Sequence, residues 1–179
     1  MFGGKTTRLL SSLERYKYQN KNILLFKPFI DERYSKDSIV THSGLKWNNN
    51  KGSFSRIERV SNGSFLFESF MNYDEQHGID VVAIDEAFMI DGVSEAAIEI
   101  YKLGKTVLIS SLQLSSAGKP YEEMINLLPW ATSVQICPAV CSVCGEDAYF
   151  TIKNGGKDEN EIEVGGSELY QPVCFKHFF

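Results

Sequence analysis

Gly78-Ile79-Asp80-Val81-Val82-Ala83-Ile84-Asp85-Glu86 is the stretch on which the fold turns. A short apolar run without polar alternation suits a strand buried on both faces, and this one ends in two carboxylates. Upstream, residues 64–76 place Phe65, Leu66, Phe70 and Tyr73 on roughly one helical face, and Gly78 stops that helix. Downstream the alternation repeats: residues 93–103 read as helix, Gly104 as its stop, and 106–112 as the next strand. Residues 22–29 form another apolar run, closed by Pro28, and Lys5 to Tyr18 carries Leu9, Leu10, Leu13 and Tyr16 at helical spacing. A helix is expected over 121–128, between Pro120 and Pro129, and a strand around 134–136. Apolar strands alternating with helices predict an α/β fold with a parallel sheet covered by helices on both faces. The polar stretch 30–51 reads as a loop with short extended pieces, a mobile or substrate-facing segment.

The start of the chain supplies the first chemistry. Gly4-Lys5-Thr6 ends the phosphate-loop pattern G-x-x-x-x-G-K-[ST]. There a glycine lets backbone N–H groups approach phosphate oxygens, a lysine adds a point charge, and a hydroxyl ligates Mg²⁺ at a helix start that favours anions. Gly3, Gly4, Lys5 and Thr6 are therefore candidates to hold ATP. The pattern's first glycine falls two positions before Met1, so that glycine and the strand leading into the loop are expected to be missing. Gly-Gly-Lys-Thr alone is equally compatible with a flexible terminus. The acidic strand end changes the balance: Asp85 has the position of a Mg²⁺-holding aspartate at a strand's C-terminal end. Glu86 beside it is the candidate base that takes a proton from an alcohol, or alternatively orients a water for an ATPase.

The 179 residues are 43% hydrophobic and 23% charged, which describes a folded globular chain with one main domain and a small appendage. The net charge of −5 argues against broad attachment to nucleic acid or to an anionic membrane. No apolar stretch approaches the ~20 residues of a membrane helix, and without a leader at the N-terminus the default compartment is cytoplasmic. Cys141-x-x-Cys144 and Cys174-x-x-His177 form two ligand pairs separated by 29 residues. Three thiolates and an imidazole suit tetrahedral Zn²⁺, and with no open position the metal would be structural. The expected division is 1–140 for the nucleotide-binding domain and 141–179 for the zinc-binding module. Cys137, outside both pairs, reads as a buried core thiol, and His77 as a polar loop histidine.

Together these residues resemble the zinc-containing, type II thymidine kinase family over nearly the whole chain. Met1-Phe2-Gly3-Gly4-Lys5-Thr6 is similar to the last six positions of that family's phosphate loop, with Gly3 in place of serine. Lys27-Pro28, Asp31-Glu32-Arg33-Tyr34-Ser35 and Thr41-His42 resemble its Lys, Asp-x-Arg-Tyr and Thr-His segments. The resemblance implies a P-loop, RecA-like core, phosphorylation of deoxythymidine or a related deoxynucleoside by ATP with Mg²⁺, Glu86 as catalytic base, and a homotetramer. It also implies a lasso around Ile162, Val164, Gly166 and Tyr170 that closes over the nucleoside. Met1, Asp31, Arg33, Met89, Leu112, Tyr121, Phe150 and Thr151 are the other substrate-binding positions that it suggests. Phe88-Met89, Gln113 and Ser116 depart from the family's pattern at or near the base pocket, which bears on base preference. Two alternatives stay open: a truncated, catalytically impaired relative, and a non-kinase nucleotide-binding module with a structural zinc.

Overall fold

The computed structural model describes residues 3–31, 53–155 and 165–179. Helix α1, Lys5–Tyr18, is followed by β1, Ile23–Pro28; β2, Ser55–Val60; α2, Gly63–His77; and β3, Val81–Ile84. A single 3₁₀ turn, Ala87–Met89, then leads to α3, Val93–Lys102; β4, Thr106–Ile109; and α4, Glu122–Leu127, which runs into a second 3₁₀ turn, Leu128–Trp130. The C-terminal part holds β5, Ala139–Val140; β6, Asp147–Ala148; β7, Phe150–Lys153; β8, Tyr170–Val173; and the short α5, Phe175–Phe178.

The main sheet has four strands in the order β2-β1-β3-β4, and all of its pairings are parallel. Side chains alternate across it as the two-residue period requires. Leu24, Phe26, Val82 and Ile84 face α2 and α3, where Leu66, Phe70, Val93, Ala97 and Ile100 complete a core with essentially no exposure. Ile23, Leu25, Val81 and Ala83 face the other way, onto Leu9, Leu10 and Leu13 of α1. β1 is thus buried along its whole length, and each of its large side chains stabilises the fold by ~1.5–3 kcal/mol. Asn62 begins α2 by accepting from the Phe65 amide at 2.9 Å, and Gly78 ends it in the left-handed conformation at φ 62.

One strand was not anticipated, and three expectations are corrected. β2 falls in a stretch with no evident strand signal, because Ser-Arg-Ile-Glu-Arg-Val is an edge strand whose charged side chains stay partly exposed. Residues 134–136 are not a strand: no described strand lies beside them, and Val134 and Ile136 stay exposed. A β pattern without a partner to accept its hydrogen bonds does not make sheet. His77 ends α2 instead of sitting in a loop, and its ring stacks on Phe54 with centroids 3.9 Å apart. Cys137 is half-buried instead of in the core. No described helix is long and apolar enough to cross a membrane.

Candidate active site and metal centre

Parallel strands deliver their C-terminal ends to one edge of the sheet, and the polar residues gather there. Asp31 follows β1, Asp85 follows β3 and Ser110 follows β4, all buried. The N-terminus of α1 meets the same edge. Gly4 is its N-cap, with φ 70 and ψ 22, a left-handed backbone that glycine adopts without the Cβ clash other residues meet. Gly3 must also be glycine, since a Cβ there would stand 2.2 Å from the Cys137 carbonyl oxygen. From the first turn of α1 the Thr6 hydroxyl donates to the Asp85 carboxylate, 3.0 Å from one oxygen and 3.2 Å from the other. A group that is 79 residues away in sequence thereby joins the loop to the acidic strand end. Burial, and then the neighbouring Glu86, push the Asp85 carboxyl up to about 6, against the opposing pull of Ser110, Thr6 and Lys5. A carboxylate so poorly solvated gains from a cation, whether the Lys5 ammonium or a bound metal.

Glu86 is half-buried and lies in the left-handed region, at φ 50 and ψ 45, where the chain turns out of β3 into the 3₁₀ turn. The Ala87 amide donates to the Ser110 carbonyl at 3.0 Å and the Phe88 amide to the Ser111 hydroxyl at 3.1 Å. Phe88 packs its ring on Tyr121, centroids 4.7 Å apart, so that departure from the family pattern is a buried packing residue. Met89, the last residue of this turn, and Leu112 are half-buried. Ser110 and Ser111 were not among the residues singled out from sequence. Their signal was available: two hydroxyls at the end of a parallel strand, where ligands bind in open α/β sheets.

Cys141, Cys144, Cys174 and His177 come together, their ligand atoms all within 4.8 Å of one another. The Cys144 and Cys174 sulfurs are 3.7 Å apart, and His177 Nδ1 is 3.7 Å from the Cys141 sulfur and 3.2 Å from that of Cys174. Tetrahedral zinc with Zn–S of ~2.3 Å and Zn–N of ~2.0 Å needs S···S of about 3.8 Å and S···N of about 3.5 Å, so the donor set and its spacing fit that ion. Desolvation pushes the Cys141 thiol up, but hydrogen bonds from the backbone at Cys174, Val143 and Cys144 and from the Cys144 side chain outweigh it and lower it to about 6. That shift favours the thiolate, the form that binds metal.

The cluster staples the antiparallel β7–β8 hairpin to the Cys141 turn. Thr151 and Tyr170 lie on the two strands, Thr151 opposite Pro172 and Tyr170 opposite Lys153. Gly166 opens the turn into β8, its carbonyl accepting from the Leu169 and Tyr170 amides. Phe150 packs within the aromatic group of α5, 4.7 Å from the ring of Phe178, which in turn lies against Gly118. Met1, Arg33, Ile162 and Val164, together with His42, lie outside the described residues.

The fold and its sites define a class: a mixed α/β protein with a helix-flanked parallel sheet, a phosphate-loop sequence at the head of its first described helix, and a C-terminal Cys₃His cluster able to hold zinc. The profile of the family described as thymidine kinase matches residues 1–178. The thymidine kinase of Thermococcus kodakarensis is 34% identical over 189 residues, spanning 99% of this chain and 89% of that protein. Thymidine kinase a of Arabidopsis thaliana is 29% identical over 185 residues, with 99% and 71% covered, and the chain spans 63% of the length of the Oryza sativa thymidine kinase, at 30% identity. The chain belongs to the thymidine kinase family, a family of enzymes.

Proposed function

We propose that this chain transfers the terminal phosphoryl group of ATP to the 5′-hydroxyl of deoxythymidine or a related deoxynucleoside, giving the monophosphate for salvage into DNA precursors. The observation that carries the reading is the Thr6–Asp85 hydrogen bond, which brings the end of the phosphate loop onto the acidic strand end with Glu86 next in the chain. In this reading Gly3, Gly4 and Lys5 grip the triphosphate, and Thr6 and Asp85 would hold Mg²⁺, which when bound spreads the charge of the transferring group. Glu86 accepts the proton of the attacking hydroxyl. Asp31, Met89, Leu112, Tyr121, Phe150 and Thr151 are the described candidates for the nucleoside side, with Gly166 and Tyr170 on the lasso and Met1, Arg33, Ile162 and Val164 completing the set. Cys141, Cys144, Cys174 and His177 would hold a structural Zn²⁺ that pins the lasso, with 141–179 as a module on a 1–140 core. Family resemblance supports a cytoplasmic homotetramer.

The test is ADP formation by purified protein with ATP and Mg²⁺ across a panel of nucleosides. Deoxythymidine-dependent turnover, with a monophosphate product, is the expected result. ADP release that no nucleoside stimulates would overturn the reading and leave a hydrolase.

A further inference from the structure

Glu86 is the only non-glycine residue besides Asn20 with a positive φ among the described residues, and such a backbone is strained unless its surroundings hold it. The holding groups come from the end of β4. The Ser110 amide donates to the Ile84 carbonyl at 2.8 Å and the Ala87 amide returns to the Ser110 carbonyl at 3.0 Å. These are main-chain bonds that any residue at position 110 would make. The next bond is different, because the Phe88 amide donates to the Ser111 side chain, and the same hydroxyl donates on to the Leu112 carbonyl at 3.2 Å.

We propose that Ser111 is a positioning residue: its hydroxyl, accepting from Phe88 and donating to Leu112, locks the Ala87–Met89 turn and so fixes the direction of Glu86 relative to the segment at Leu112. The proposal deepens the kinase reading and rests on it for the role of Glu86. Ser111 passes no proton to or from the reactants. It acts through a buried N–H that would lack a partner without it, and through a turn with Phe88 already seated on Tyr121.

The experiment compares Ser111→Ala with Ser111→Thr, which keeps the hydroxyl. Losing the bond is expected to lower kcat on the order of tenfold while KM for ATP stays within about twofold, and threonine should restore most of the loss. Hydrogen exchange supplies a readout independent of activity: the Phe88 amide should exchange on the order of tenfold faster in Ser111→Ala and near the wild-type rate in Ser111→Thr. Unchanged protection at Phe88 overturns the clamp, whether or not the protein phosphorylates nucleosides. A wild type with no nucleoside turnover but a clamp visible in exchange would instead remove the kinase reading alone. Unchanged kcat, or failure of threonine to restore it at equal thermal stability, also counts against the proposal. Should Ser111→Ala not fold, Ser111→Cys, similar in size but a weak acceptor, carries the same comparison.

Discussion

At the scale of single residues, two adjacent carboxylates at the end of β3 have been given different surroundings. Asp85 is buried and held by Thr6, while Glu86 is half-buried on a left-handed turn. Glu86→Gln keeps the shape and removes the proposed base, so it should lower nucleoside-dependent turnover by about 10²–10⁴-fold and leave ATP binding, followed by calorimetry, nearly unchanged. The Asp85 carboxyl, at about 6 against an ordinary 3.8, makes a pH prediction of definite sign. Between those values the folded chain keeps a proton that the unfolded chain has released, so the stability contributed by this group falls as pH rises through the window and is flat above it. The penalty is roughly 3 kcal/mol at most. Asp85→Asn has no such titration. In metal-free buffer it should be more stable than wild type at pH 8 and lose that advantage toward pH 4, which urea unfolding at several pH values would reveal. A gap independent of pH would contradict the burial argument.

At the scale of elements, α3 starts at Gly92 with no side chain of its own to cap it, and Glu123 of α4 takes that role from outside. One carboxylate oxygen accepts from the Gly92 amide and the other from the Ser94 amide, both at 2.7 Å. Glu123→Ala should destabilise the fold by about 1–3 kcal/mol, visible as a lower denaturation midpoint, whereas Glu123→Gln, which can satisfy one amide, should recover part of it. This cap could not be read from the sequence, because the glutamate lies 31 residues from the amide it serves. The elements that were legible are those whose apolar pattern answers to burial: β1 and β3 as unbroken runs, α1 and α2 as one-sided helices. β2 was missed because at the sheet's edge Arg56 is exposed and Glu58 and Arg59 are only half-buried, so its composition looks like loop. The site divided in the same way. Gly4-Lys5-Thr6, Asp85-Glu86 and the Cys/His pairs carry chemistry in their spacing, while Ser110 and Ser111 matter only through what the sheet sets beside them.

At the scale of the molecule, the four-ligand cluster and the parallel sheet are stabilised by unlike means. The sheet rests on two apolar layers, whereas among the described residues the C-terminal part has a small buried core of Ala139, Cys141, Ala148 and Val173, with Phe150, Ile152 and Phe178 packed against it. Too little apolar surface is buried there to hold the hairpin unaided, so metal binding and folding should be coupled in it. Treatment with a zinc chelator is expected to speed amide exchange in β5 to β8 before it affects β1 or β3, and the reverse order in a hydrogen-exchange series would sink the structural-zinc assignment. The close approach of Gly3 to the Cys137 carbonyl has a consequence for biosynthesis. During translation Gly3 and Gly4 leave the ribosome more than a hundred residues before Cys137, on which that turn rests. A polypeptide ended before Cys137 would therefore carry the phosphate-loop sequence without its seat.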